Sequence, residues 1–133
     1  MEKFFWIADD DPDDRMIIKD AFEENQFVDS LAFFEDGEKI LLHFEKEAET
    51  LGFRYPSLLI LDLNMPRVNG LELLTQLKSN KRTRNIPVVI LSTSKNTQDK
   101  EKVLKLGADE FITKPFSFDM MIEITRNLIE KYG

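Results

Sequence analysis

Five short apolar runs, each followed by a longer segment with helical spacing, constrain the fold of this chain more than any other feature. The first four are entirely apolar and the fifth is weaker; they cover residues 4–8, 31–34, 58–61, 88–91 and 110–113. Runs without polar alternation are typical of strands that are covered on both faces, as in a parallel sheet.

The segments between these runs carry apolar residues at helical spacing and predict five helices. Asp11 and Pro12 have the chemistry of a helix cap and a first helical residue, and Gly107 is placed to end the fourth helix. The fourth and fifth helices are expected over about residues 97–106 and 117–131. The first helix carries Met16, Ile17, Ile18, Ala21 and Phe22, and the second is expected to bury Ile40, Leu41, Phe44, Ala48 and Leu51. The third has Leu71, Leu74 and Leu77 with Leu73 adjacent, and the fifth is expected to carry on one side Phe118, Met121, Ile122, Thr125, Leu128 and Ile129. Five alternations of strand and helix imply right-handed crossovers and a doubly wound parallel α/β sheet.

Composition excludes several classes of protein. A chain of 133 residues corresponds to one ordinary domain. Because it has no cysteine and a single histidine, His43, it can form neither a disulfide framework nor a site with several histidine ligands. The net charge of −7 argues against general nucleic-acid or anionic-membrane binding. No stretch resembles a signal peptide or a transmembrane helix, so we expect a cytoplasmic domain.

Polar residues follow the strands at the edge where ligands bind in doubly wound sheets. Asp9 and Asp10 follow the first run, Asp62 the third, Ser92 the fourth and Lys114 the fifth. Each of these residues also has an ordinary structural explanation, as a turn former or a solvated charge. Three carboxylates at one edge nevertheless call for a divalent cation, and with oxygen ligands alone Mg²⁺ is the natural candidate.

This set of side chains is suited to phosphoryl transfer onto a carboxylate. Asp62 would be the nucleophile. Mg²⁺, the Lys114 ammonium and the Ser92 hydroxyl would neutralise the oxygens of the transferring group. A phosphate-binding loop of the flavodoxin cofactor type is not indicated, because Asp9 and Asp10 would repel a phosphate after the first strand.

Four segments in order resemble the receiver domain of two-component response regulators, the chemotaxis-regulator-like family, over essentially the whole chain. These segments are Ile-Ala-Asp-Asp-Asp-Pro at 7–12, Leu-Ile-Leu-Asp-Leu-Asn-Met-Pro at 59–66 followed by Gly70, Ile-Leu-Ser-Thr at 90–93, and Lys-Pro-Phe at 114–116. The resemblance implies a flavodoxin-like fold with a five-stranded parallel sheet in the order 2-1-3-4-5, flanked by five helices. It also implies one receiver domain over residues 1–133, with no effector domain.

The resemblance assigns a role to each matching position. Asp62 corresponds to the phosphoacceptor, Asp10 to the direct Mg²⁺ ligand, and Asp9 to the partner that often acts through water. The backbone carbonyl of Asn64 corresponds to a further metal ligand. Ser92 falls at the switch hydroxyl of the family.

Three further positions complete the implied switch. Phe111 corresponds to the aromatic residue whose rotamer is coupled to the switch hydroxyl. Lys114 corresponds to the phosphate-pairing lysine, and the bond between Lys114 and Pro115 is expected to be cis. Because Thr93 follows Ser92 directly, either hydroxyl could be the switch, although the spacing to the later residues favours Ser92.

The implied partners are a sensor histidine kinase and either a downstream protein or a phosphotransfer protein. Residues 85–94 resemble the small stand-alone regulators, including those paired with phytochrome-type kinases; such relatives often dimerise, so a homodimer is a further expectation. The chain would not be an enzyme beyond catalysing its own phosphorylation and dephosphorylation. One alternative is a pseudo-receiver that binds proteins without being phosphorylated. The other is an aspartyl-phosphate phosphohydrolase, which usually needs a second Asp where Asn64 stands.

Overall fold

The five predicted strands form one parallel sheet in the order β2-β1-β3-β4-β5, as expected. A computed structural model describes residues 4–27, 30–47, 50 and 52–133. The strands are β1 (Phe5–Ala8), β2 (Leu31–Phe34), β3 (Leu58–Leu61), β4 (Val88–Ser92) and β5 (Glu110–Thr113). The helices between and after them are α1 (Pro12–Glu24), α2 (Gly37–Glu47), α3 (Gly70–Ser79), α4 (Thr97–Lys105) and α5 (Phe118–Tyr132).

The register of the central strands brings the ends of β1 and β3 to the same level. Ala8 is paired with Leu61, and the amide of Asp62 donates to the carbonyl of Ala8 at 3.0 Å. On the other side of β1, the amide of Asp9 donates to Phe34 at 3.0 Å. Asp9 and Asp62 therefore leave neighbouring strands side by side at the carboxyl edge of the sheet.

Two apolar clusters cover the two faces of the sheet, which explains why the strands are apolar without alternation. In β1, Phe5 and Ile7 pack toward α1 and α5, whereas Trp6 and Ala8 pack toward the α2–α3 side. The buried helical residues of these clusters are Ile18, Ala21, Phe22, Ile40, Phe44, Leu73, Leu74, Leu77, Val103, Met121 and Leu128. The side chains of the central strands β1, β3 and β4 are thus buried whichever face they point to, whereas the edge strands β2 and β5 are mostly half-buried.

The helix faces differ from prediction at several positions. Met16 and Ile17 are 63% and 42% exposed, because α1 packs through Ile18, Ala21 and Phe22 instead. At 3.6 residues per turn these five residues spread over most of the helix circumference, and only the stripe of Ile18, Ala21 and Phe22 faces the core.

Smaller differences concern partial burial and the ends of elements. Phe118 is 42% exposed, since it is the first residue of α5 behind the cap Ser117. Leu41 and Leu71 are half-buried at the edge of the α2–α3 cluster. The predictions for Ala48 and Leu51 fall outside the described residues. Among the helices that are described, none is both long and apolar enough to cross a membrane.

Candidate functional site

Three carboxylates meet at the carboxyl edge of β1 and β3. Ligand oxygens of Asp9, Asp10 and Asp62 all lie within 4.8 Å of one another. Asp9 and Asp62 are buried, at 2% and 7% exposure, whereas Asp10 is exposed. Hard oxygen ligands, two of them shielded and one open to solvent, fit a divalent cation of the Mg²⁺ type that keeps part of its water shell.

Lys114 is inserted into this group from the end of β5. The pairing of β4 and β5 continues past Thr113, where the amide of Lys114 donates to the carbonyl of Ser92 at 2.8 Å. Its Nζ then lies 2.7 Å from Asp9, 2.8 Å from Asp14 and 3.3 Å from Asp62, measured to one carboxylate oxygen of each. The side chain of Lys114 is only 9% exposed, so these carboxylates replace most of the water around the ammonium.

The turn between β1 and α1 holds the acidic pair in place. The amide of Asp11 donates to Oδ1 of Asp9 at 3.0 Å, and Asp11 itself caps α1 by accepting from the amide of Asp13 at 2.9 Å. Arg15 reaches back from α1 and donates to the carbonyl of Asp9 at 2.6 Å. On the other strand, the amide of Asn64 makes a long contact of 3.4 Å with Oδ1 of Asp62.

Burial governs the protonation of the site. It raises the pKa of both Asp9 and Asp62 above the ordinary value, and the hydrogen bonds and charge of Lys114 offset this only in part. The pKa of Lys114 is lowered by its burial, but hydrogen bonds to Asp14 and Asp9 outweigh that effect and hold it well above the ordinary lysine value. One ammonium therefore remains charged while two buried carboxylates share it.

We expect Asp62→Asn to raise the free energy of unfolding at pH 7 by about 1 kcal/mol in metal-free buffer. Since burial raises the folded pKa above the unfolded value of 3.8, the stability that this carboxyl contributes is present below pH 3.8. That contribution is lost as the pH rises through the folded pKa. At pH 7 the buried carboxylate is therefore charged at a cost in desolvation, which an uncharged amide does not have. Urea unfolding, followed by the fluorescence of the single tryptophan Trp6, measures the difference.

The gain in stability should shrink as the pH falls toward 4, because the wild-type carboxyl then takes up its proton. Asp119→Asn, at an exposed position in the first turn of α5, is the matched control and should not stabilise the chain. Equal or lower stability of Asp62→Asn at pH 7 would contradict the interpretation.

The remaining predicted residues lie on β4, on β5 and in the loop after β3. Ser92 is completely buried at the end of β4, and its hydroxyl accepts from the amide of Ser94 at 3.2 Å, whereas the neighbouring Thr93 is exposed. Asn64 is exposed in the loop after β3. Phe111 is half-buried on β5, against the α2–α3 cluster.

The expected cis bond is not observed. Lys114 and Pro115 are joined by a trans peptide, like all other bonds between described residues. The trans isomer is the intrinsically favoured one even before proline, by about 0.5–1 kcal/mol.

Sequence reasoning missed the contact made by Asp14. Its place in the first turn of α1 had an adequate explanation in the helix dipole, which concealed its reach toward the sheet edge. Helical side chains lean toward the N-terminus of their helix, and the N-terminus of α1 faces the ends of the strands. That geometry was the available signal that Asp14, and also Arg15, could contact residues of the site.

The strand order, the acidic edge and its buried lysine together define a doubly wound α/β domain of the receiver class. The chain matches the family model of the response regulator receiver domain over residues 5–126, and it belongs to that family. It is a receiver-domain response regulator of two-component signalling. Receiver domains are not classical enzymes, and they bind Mg²⁺ or Mn²⁺ at an acidic cluster like that of Asp9, Asp10 and Asp62.

Similar proteins include small regulators of the same kind. The probable methanogenesis regulatory protein FilR2 of Methanothrix harundinacea is 34% identical over 85% of this chain and 72% of its own length. Response regulator Rcp1 of Synechocystis is 28% identical over 84% of this chain and 76% of its own length. The structure of the phosphorylated cyanobacterial phytochrome response regulator RcpA superimposes with a TM-score of 0.88 at 28% identity, covering 99% of this chain and 94% of that one. Other curated relatives are longer, and the chain spans only 39% or 32% of two of them.

Proposed function

We propose that this chain is a phosphorylation switch in which Asp62 accepts a phosphoryl group from a phosphohistidine of a sensor histidine kinase. The observation that carries the proposal is the position of Asp62. Its buried carboxylate lies close to the carboxylates of Asp9 and Asp10, and one of its oxygens is 3.3 Å from the Lys114 ammonium. A nucleophile beside both a candidate cation site and a fixed ammonium has the environment that phosphoryl transfer requires.

The transfer itself exchanges one bond for another. A carboxylate oxygen of Asp62 forms a bond to phosphorus as the bond between phosphorus and the imidazole nitrogen of the donor breaks. The electron pair of the broken bond stays with the departing imidazole. Lys114 and the Ser92 hydroxyl donate to the equatorial oxygens of the group, and the raised pKa of Lys114 keeps its ammonium charged throughout the physiological range.

The metal site proposed here consists of Asp9, Asp10, Asp62 and the backbone carbonyl of Asn64. The oxygen ligands suit Mg²⁺, which supplies positive charge against the phosphoryl oxygens when it is bound. Asp10 is the exposed member of the acidic group, and so it is the one most open to an arriving hydrated ion. Asp9 is held by the amide of Asp11 and by Lys114, an arrangement that suits a ligand acting through water.

The proposed output is a change in protein binding. An acyl phosphate on Asp62 would draw the Ser92 hydroxyl and Lys114 toward itself. Phe111, which is half-buried on β5, would then repack and alter the face formed by α4, β5 and α5. The partners are the kinase and either a downstream protein, a phosphotransfer protein or a second copy of the chain, in the cytoplasm.

The proposal is tested by intact mass spectrometry after incubation with a small phosphodonor such as acetyl phosphate. We expect one phosphoryl adduct in the presence of Mg²⁺ and none in the presence of a chelator. If calorimetry shows Mg²⁺ binding but no donor gives an adduct, the chain is a pseudo-receiver that acts by protein binding alone. Turnover of small phosphate esters would instead indicate a phosphohydrolase.

A further inference from the structure

Lys114 contacts one carboxylate more than the proposed phosphorylation site accounts for. Of its three partners, Asp9 and Asp62 belong to the acidic group that would hold a cation, whereas Asp14 does not. The contact with Asp14 is nevertheless short, at 2.8 Å, and joins the first turn of α1 to the end of β5. Among the described residues, Lys114 is the only cation in contact with Asp14.

A bound cation and Lys114 would compete for the same carboxylates. Oδ2 of Asp9 accepts from Lys114 at 2.7 Å, and Oδ1 of the same carboxylate accepts from the amide of Asp11 at 3.0 Å. Oδ2 of Asp62 also faces Lys114. A divalent cation at these carboxylates is therefore repelled by an ammonium that is already bound to two of them.

We propose that Asp14 is a positioning residue that retains Lys114 when Asp9 and Asp62 turn to a bound cation. This inference rests on the proposed function, because it assumes that the acidic group binds Mg²⁺. Asp14 lets the ammonium give up two partners without becoming an unpaired buried charge, which would be costly. It also keeps Lys114 at the edge of the site, ready to pair with a phosphoryl group on Asp62.

The surroundings of Asp14 suit this role. Asp14 is held in the first turn of a helix that begins at a capped residue, so its backbone is fixed. Its side chain is 32% exposed, compared with 2% for Asp9, so it can hold a charge at lower desolvation cost.

Asp13 provides a matched control. It occupies the same first turn of α1 and carries the same charge, but it is exposed, and no lysine or arginine among the described residues is paired with its carboxylate. Asp13→Asn and Asp14→Asn therefore remove the same charge from the same end of the same helix. Only Asp14→Asn removes a partner of Lys114.

The test is calorimetric titration of the folded protein with Mg²⁺. We expect the Kd of Asp14→Asn to be about fivefold higher than that of Asp13→Asn, equivalent to ~1 kcal/mol. Asp14→Glu, which keeps a carboxylate, should recover most of the affinity. Urea unfolding in chelator distinguishes a change in binding from a loss of fold, and the comparison is made only among variants that unfold cooperatively.

Nitrogen-15 NMR of lysine ammonium groups reports on Lys114 directly. On addition of Mg²⁺, the Lys114 signal should persist in the wild type and in Asp13→Asn, and broaden into solvent exchange in Asp14→Asn. Equal Mg²⁺ affinity of the two asparagine variants, or tighter binding by Asp14→Asn, would overturn the inference while leaving the proposed function intact. Absence of Mg²⁺ binding in the wild type would instead refute the metal site of the proposed function.

Discussion

Lys114→Met is expected to lower the free energy of unfolding by about 2–3 kcal/mol at pH 7 in metal-free buffer. The substitution leaves Asp9 and Asp62 buried at the edge of the sheet, with ligand oxygens within 4.8 Å of one another and without their ammonium. Burial already raises the pKa of both carboxyls, and loss of Lys114 removes the main influence that opposes it. Urea unfolding followed by Trp6 fluorescence measures the loss.

The pH dependence separates this explanation from a general packing defect. Both carboxyls titrate with a folded pKa above the unfolded value of 3.8, so the stability they contribute is present below pH 3.8 and lost as the pH rises. The loss of unfolding free energy in Lys114→Met should therefore decrease toward pH 4. Added Mg²⁺ should restore stability at pH 7 by replacing the ammonium.

Lys131→Met is the control for Lys114→Met. Lys131 also pairs with a carboxylate, that of Glu110 at 3.2 Å, but its side chain is 58% exposed. Its loss should cost no more than about 0.5 kcal/mol and should show no rescue by Mg²⁺. A deficit in Lys114→Met that stays constant between pH 4 and 7 would contradict the electrostatic account.

Gly70→Ala is expected to destabilise the protein by about 3 kcal/mol and to weaken Mg²⁺ binding. Gly70 is the first residue of α3, and its amide donates to the carbonyl of Leu63 at 3.0 Å. A Cβ atom at this position would lie 2.3 Å from the carbonyl oxygen of Asp62 and 2.9 Å from the Cα of Leu63. Because both obstacles are backbone, the loop that follows β3 must move, and Asp62 moves with it.

Urea unfolding and Mg²⁺ calorimetry measure the two effects of Gly70→Ala. Gln76→Ala, at an exposed position on the same helix, is the control and should change stability by less than about 0.5 kcal/mol. If Gly70→Ala unfolds like the wild type and binds Mg²⁺ equally well, the loop after β3 does not pack tightly against α3.

The fold could be predicted from the sequence because the apolar strand runs, which are the strongest signal in the sequence, are also what a sheet covered on both faces requires. Strands buried on both faces must be apolar at every position, and runs such as 58–61 show this directly. The prediction was weaker for helix faces. Ile17 and Ile18 are adjacent and equally apolar, but only Ile18 is buried. The packing of α1 against α5 and the sheet decides this, and that packing cannot be read from residue type alone.

The candidate site was predictable in so far as strand ends define it. Asp9, Asp62 and Lys114 each follow a strand, so the parallel topology alone brings them to one edge. The contact with Asp14 was missed because it depends on the direction of a side chain within a helix. The complete burial of Ser92 and the half-buried position of Phe111 likewise depend on packing between elements.

We propose Asp62 as the phosphoacceptor, and the decisive experiment is intact mass spectrometry of wild type and Asp62→Asn after incubation with acetyl phosphate and Mg²⁺. Asp13→Asn serves as a control for the loss of one aspartate near the site. We predict a single phosphoryl adduct on the wild type and on Asp13→Asn, and none on Asp62→Asn. An adduct of equal yield on Asp62→Asn would contradict the account, because it would place the phosphoryl group on another residue.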